Sequence, residues 1–396
     1  MRHIVIVGGG FAGVRLARKL RKEKNIFTTI VNEGEEFRYC PALYRSATGR
    51  KMGVSRLPLE WMLLDIPNVS LRQDTATTVD FKSKTLGLQS GEVIEYDDIV
   101  FSMGVVSTFF SIKGFHEFAY GMKTPEEVIK LRNHLHDTLL LDDESSRNFV
   151  IVGGGPTGVE LAAGMGDYLR KIAKKHRRSR RKINIWLVEG APRLIPVMSE
   201  RASRLADKRL KKLGVKIHLN TKVTAGKLKE LRTNDGPIPT QAIIWTAGAI
   251  NNPFFADKAD IFPVGERNKI RVNKHMQVHS NTYVIGDNAA TKYSGLAYTA
   301  IKDADFVAKD IKARLKGADR PEYKPHTPIQ IIPVGDRYSI LQRGSITFGG
   351  IIPAILRRFA DFIGYADVMG SLRAMTIWRA CDTIEESCPT CLKKKR

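Results

Sequence analysis

The stretch Asn148–Gly158, NFVIVGGGPTG, repeats His3–Gly13, HIVIVGGGFAG, almost letter for letter, and no other feature constrains the fold as strongly. In each copy an apolar run (Ile4–Val7; Val150–Val152) enters a glycine-rich turn and leaves it into a helical pattern (Val14–Leu20; Val159–Leu169). The glycines fall as GxGxxG: Gly8, Gly10 and Gly13, then Gly153, Gly155 and Gly158. The first permits a tight turn, the second lets backbone approach a pyrophosphate, and the third lets the helix pack closely on the strand. The free N–H groups and positive end of the helix dipole then hold phosphate. A lone GxGxxG is weak, but here each copy has its strand before, its helix after and an acidic residue beyond. In the first copy the strand Phe27–Val31 leads to Glu33, with Asn32 as the alternative if the register slips by one; in the second, Ile185–Val188 leads to Glu189. A carboxylate there accepts hydrogen bonds from a ribose diol and repels a 2′-phosphate, so NADH is expected over NADPH. The fold class that follows is α/β, with two Rossmann-like dinucleotide-binding units.

The chain has 396 residues, 43% of them hydrophobic, which is enough for two or three domains with their own cores. The expectation is no signal peptide, because an apolar strand begins at residue 3, and no membrane span, because no apolar run approaches about 18 residues. Four cysteines in a chain of this size read as reduced thiols in the cytosol. The net charge of +23 attracts polyanions, either nucleic acid or the anionic face of a membrane. It concentrates in residues 170–182, RKIAKKHRRSRRK, and in Lys393–Arg396, where a solvated loop and a frayed tail are the plain alternatives.

Between and after the two motifs lie three further signals. Phe37–Gly49, FRYCPALYRSATG, places Cys40 just beyond the first ribose acid, either as a small packed hydrophobe or as a redox thiol. Asn281–Asp287, NTYVIGD, ends an apolar strand at Gly286 and Asp287, where a carboxylate can bond a ribityl chain; a helix over Leu296–Leu315 follows. From Gly344 onward Ile355, Phe359, Phe362, Ile363 and Ala366 recur at helical spacing, with Arg357, Arg358 and Asp361 between them. Such a helix covers a core, forms a dimer interface, or lies in a membrane interface where apolar area and attraction to anionic lipid add. Cys381, Cys388 and Cys391 close the chain, the last two as CPTC; with no histidine after His326 a metal site is not expected, and inert thiols are the simpler reading.

Together these motifs resemble the flavin-dependent type II NADH dehydrogenases and the related apoptosis-inducing-factor-like quinone reductases. The resemblance runs from His3 to about Trp378. Its carriers are VGGGFAG at 7–13, FxYxPxL at 37–43, VGGGPTGVELA at 152–162, LVEGAPRLIP at 187–196, WTAG at 245–248 and IGD at 285–287. It implies FAD in the first site, on Gly8, Gly10, Gly13, Glu33, Gly286 and Asp287. It implies NADH in the second, on Gly153, Gly155, Gly158, Glu189 and Gly248. Hydride then passes to the flavin and two electrons to a quinone, at the inner face of the cell membrane and without proton pumping. On this pattern Glu160 lies beside the nicotinamide and flavin, although a glutamate in a first turn also suits the helix dipole. The implied domains are 1–115 with 255–325 for FAD, 116–254 for NADH, and 326–396 as a membrane or dimer-interface region. Type II dehydrogenases carry an AQxAxQ run at the quinone site; here the positions read Ala297, Tyr298, Thr299, Ala300, Ile301, Lys302, which makes Tyr298 and Lys302 the candidates and, with YKP at 323–325, leans toward the second branch. Two rival functions remain: a soluble disulfide or peroxide reductase working through Cys40, and nucleic-acid binding by the basic insertion, which is the weakest of the three.

Overall fold

A computed structural model describes residues 1–140, 147–177, 183–240 and 242–384. Cys388, Cys391, the Lys393–Arg396 tail and residues 178–182 of the basic insertion lie outside them.

The first unit is built from β1 (Arg2–Val7), α1 (Phe11–Leu20), β2 (Ile26–Asn32), α2 (Leu43–Ala47), β3 (Val69–Gln73) and β4 (Asp98–Phe101). The second uses β5 (Ala119–Tyr120), β6 (Asn148–Val152), α3 (Pro156–Lys175), β7 (Asn184–Val188), β8 (Val215–His218) and β9 (Ala242–Trp245). The chain then adds β10 (Gln277–His279) and β11 (Thr282–Val284) to the first sheet, before α4 (Ala297–Leu315). The sheet orders are β10-β11-β4-β1-β2-β3 and β5-β9-β6-β7-β8. Every pairing in the second sheet is parallel, and in the first only β10–β11 is antiparallel. Parallel strands covered on both faces must be apolar throughout. Ile4, Val5, Ile6, Phe149, Val150 and Ile151 are all fully buried, each contributing roughly 1.5–3 kcal/mol. Two antiparallel segments, Val105–Ser107 and Ala249–Asn251, carry the chain between the units.

The run Val69–Asp80 is two strands rather than one, broken where the Asp74 carboxylate turns back to accept from the Thr75 N–H. Residues 85–96 likewise split into Thr85–Leu88 and Val93–Glu95 around the left-handed Gly91.

A three-stranded antiparallel sheet, β12 (Gln330–Pro333), β13 (Ser339–Arg343) and β14 (Ile346–Gly350), precedes α5 (Ile351–Met369) and α6 (Ser371–Ala380). Helix α5 is inverted relative to an ordinary amphipathic helix. Ile351, Ile352, Ile355, Leu356, Phe359 and Ile363 are exposed, whereas Asp361 is buried and only 16% of the Arg357 side chain is accessible. Residues 353, 357, 361, 365 and 368 share the inward stripe by their four- and three-residue spacing. Of the expected apolar face, Phe362 and Ala366 pack against the core and Ile355, Phe359 and Ile363 face outward. No helix among the described residues is long and apolar enough to cross a membrane.

Candidate functional site

The two glycine turns are built alike, down to their fastenings. Gly8 and Gly153 have φ near +110°, a conformation that strains any other L residue. A Cβ on Gly13 would lie 2.0 Å from the Gly8 carbonyl oxygen, and one on Gly158 would lie 1.9 Å from that of Gly153. Only glycine lets each helix approach its strand this closely. Around the middle glycines, Gly10 and Gly155, a Cβ would meet nothing within 4 Å, so each turn leaves an open cradle at the helix start. Neither α1 nor α3 has a side-chain N-cap or an acidic residue in its first turn. Their terminal N–H groups and positive dipole ends are free for an anion, and a pyrophosphate fits both cradles.

A hydroxyl from the neighbouring strand of each sheet, on the side away from β2 or β7, locks each turn. Ser102, just after β4, donates to the Gly8 carbonyl (2.9 Å), and Thr246, just after β9, donates to that of Gly153 (3.0 Å). In the sequence both residues end apolar runs, DIVFSMG at 98–104 and AIIWTAG at 242–248. A small hydroxyl residue directly after the strand is the signal that would have found them.

The residue after the second strand pins the turn from the other side. Glu189 accepts from the Gly154 N–H (2.5 Å) and from the Ala191 N–H (2.7 Å). In the first unit this place belongs to Asn32, which accepts from the Gly9 N–H (2.8 Å) and donates to the Gly34 carbonyl (2.7 Å). The registers agree: Val7 pairs with Val31, as Val152 pairs with Val188. Strand β2 runs one residue further than expected, and Glu33 instead forms an exposed ion pair with Arg38. The first copy therefore presents an amide where the second presents a carboxylate.

Gly286 (φ +66°) sits between the starts of α1 and α4; a Cβ there would touch the Ala12 and Ala300 methyls at 3.5 and 3.6 Å. Its N–H donates to the buried Asp303 carboxylate (3.0 Å), which also accepts from the Tyr323 hydroxyl (2.6 Å). Burial pushes Asp303 up to about 6, against those two hydrogen bonds. Asp287 is partly buried beside Lys269, whose ammonium burial lowers toward neutrality. The charge of the same carboxylate also acts on Cys40. The Cys40 surface is open to solvent, yet the surrounding protein raises its thiol above the ordinary range, with Lys123 and Arg38 only partly opposing.

Glu160 lies beyond the first turn of α3, so the helix dipole does not account for it. Burial raises it to about 7, with Arg357 and Arg45 pulling it down and Asp361 pushing it up. Among the described residues no donor bonds its carboxylate. Tyr298 and Lys302 form their own pair on α4, the ammonium 5.6 Å from the ring centre, with Tyr298 exposed. Gly248 follows β9 and abuts Phe110 and the Thr108 carbonyl. Cys381 is buried, its thiol 3.6 Å from the Tyr365 hydroxyl. No group of three His, Cys, Asp or Glu able to hold a metal ion occurs among the described residues.

Comparison with known proteins gives a consistent picture. A type II NADH:quinone oxidoreductase of Mycobacterium tuberculosis, Ndh, is 28% identical over 95% of this chain and 88% of its own. The demethylphylloquinone reductase NdbB of Synechocystis is 26% identical over 87% and 86%. NDH2 of Plasmodium falciparum, solved in complex with NADH, superposes with a TM-score of 0.85 over 96% of this chain and 97% of that one, at 15% identity, a likeness of fold. Residues 2–304 match the family described as pyridine nucleotide-disulphide oxidoreductase, and the chain belongs to that family.

Proposed function

We propose that this protein is an NADH:quinone oxidoreductase that passes hydride from NADH to a bound FAD and two electrons onward to a quinone. The observation that carries the reading is the pair of open glycine cradles on uncapped helix starts, one per sheet, with Gly286 joining α4 to the first. The names of the relatives from Mycobacterium tuberculosis and Synechocystis supply the acceptor class. FAD is held by Gly8, Gly10 and Gly13, with Asn32 in the place assigned from sequence to Glu33, and by Gly286 and Asp287. NADH is held by Gly153, Gly155, Gly158, Glu189 and Gly248. The flavin supplies two-electron chemistry when bound; the chain binds both cofactors, fixes their rings together and excludes water. Residues 1–115 with 255–325 serve FAD, 116–254 serve NADH, and 326–396 serve docking. Tyr298 and Lys302 line the quinone approach.

The exposed apolar stripe of α5 and the basic excess support docking on an anionic membrane surface, which we assign to the inner face of the cell membrane, with electron transfer that does not pump protons; a homodimer through the same stripe is the competing use. The test is anaerobic NADH oxidation by the purified flavoprotein with a short-chain quinone, in wild type and Cys40→Ser. Turnover in both is expected. Flavin reduction without quinone turnover, or turnover lost with the thiol, overturns the reading in favour of a disulfide or peroxide acceptor.

A further inference from the structure

Two arginines lie in the field of Glu160, and both are committed elsewhere. Arg45 of α2 meets Asp361 of α5 at 2.7 Å, and Arg357 of α5 meets the other oxygen of the same carboxylate at 3.3 Å. Arg357 also donates to the Ile331 carbonyl (3.2 Å) and to the Pro41 carbonyl (3.1 Å), and Arg45 donates to the Tyr44 hydroxyl (3.0 Å). Asp361 is 3% exposed, so its charge is compensated by these two guanidiniums rather than by water. Glu160, by contrast, has no direct partner among the described residues.

We propose that Asp361 is a positioning residue for Glu160: it holds the guanidiniums of Arg45 and Arg357 on itself and so withholds them from the Glu160 carboxyl. The inference rests on the quinone-reductase reading above, in which NADH, quinone and one proton from water give NAD⁺ and quinol. That proton must be held close to the reacting rings. A carboxyl clamped by two arginines would stay ionised and could not hold it, whereas one left unclamped takes a proton from water and releases it in turn. Helix α3 packs on the helix Pro125–Leu140, on the helix Glu200–Lys212, on α2 and on β12. The groups that act on Glu160 come from α2, Tyr44 and Arg45, and from α5, Arg357 and Asp361. Tyr39 and Cys381 lie further out, in the field of Asp361 and Arg45. The charge geometry around the carboxyl is therefore set by a helix whose other face is an exposed apolar stripe.

The test is an infrared pH titration of Glu160 in the flavin-loaded, full-length protein, its carboxyl band identified by loss in Glu160→Gln. Asp361→Asn removes the carboxylate that compensates both guanidiniums and should move the titration down by about one pH unit or more, a tenfold or larger loss of proton affinity. Arg357→Gln should move it up, and Asp361→Glu should restore the wild-type position. These opposed directions are not produced by general loosening, which moves every variant the same way. An upward or absent shift in Asp361→Asn with flavin retained overturns the proposal. If that variant fails to load flavin, Arg357→Gln decides: an upward shift supports the proposal, and none overturns it. Titration shifts as expected without quinone turnover in wild type would leave the positioning role standing and remove the quinone reading; turnover without shifts would do the reverse.

Discussion

Arg15 in α1 and Glu160 in α3 occupy the same position, two residues past the third glycine of their motifs; Arg15 meets α5 directly, and Glu160 lies in the field of two α5 charges without touching them. Arg15 is saturated, meeting Asp305 of α4 at 2.7 Å and Asp367 of α5 at 2.8 Å. Glu160 has no direct partner among the described residues, and the arginines whose field reaches it, Arg45 and Arg357, pair with Asp361. One scaffold, used twice, thus carries an ion-paired guanidinium in the first unit and an unpaired carboxyl in the second. Packing around the glycines is nearly identical in the two copies, so the divergence lies in charge and not in backbone.

That comparison can be pressed at four places, in order of expected effect. Gly158→Ala drives a Cβ into the Gly153 carbonyl at 1.9 Å and should cost more than about 3 kcal/mol, as should Gly13→Ala in the first copy. Urea unfolding checks both, and a mild effect in either would mean that the two helices are not equally tight. Arg15→Gln leaves Asp305 and Asp367 facing each other and should destabilise by about 2 kcal/mol, discounted from a fully buried pair because these side chains are 17–26% accessible. Unchanged stability would refute a stabilising role for these ion pairs. Gly155→Val fills an open cradle without strain, since its φ is −70°. It should keep the melting temperature and flavin content while weakening NADH binding about 10- to 100-fold, or about 1.4–2.7 kcal/mol, by direct titration. Gly10→Val should instead prevent flavin loading.

The smallest effect concerns Glu160 itself. Its carboxyl is raised from 4.5 to about 7 on folding, so the folded state holds the proton more tightly than the unfolded chain. Stability from this group is therefore lost as pH rises from about 4.5 to 7 and is flat above that. Glu160→Gln should match wild type near pH 4 and exceed it at pH 8 by about 1 kcal/mol, below the roughly 3 kcal/mol of the full shift because the residue is only partly buried. A variant less stable than wild type at pH 8 would mean that the ionised carboxylate is held by its arginines after all.

Much of this molecule is legible in its sequence because glycine spacing and buried parallel strands leave few alternatives. The cradles, the return strand ending at Gly286 and the long helix after it follow from those patterns. The ribose position in the first copy was harder: Glu33, Glu35 and Glu36 crowd the strand end, and only the pairing of Val7 with Val31 fixes Asn32 as the residue that meets the turn. The buried charge pair of α5 was least legible. Arg357 and Asp361 lie four residues apart, which marks a shared face, but a hydropathy reading sends charges to water. Their buried placement depends on Arg45, more than three hundred residues away in the chain.

The outward face of α5 has a consequence for how the protein behaves in a test tube. Ile352, Ile355, Phe359 and Ile363, each more than half exposed, form an oily strip on an otherwise heavily cationic particle. Like charge keeps such particles apart at low ionic strength, and salt removes that protection while strengthening the attraction between strips. The protein should accordingly be least well dispersed in the salt concentrations that ordinarily solubilise basic proteins, and a mild detergent should disperse it better than any change of buffer.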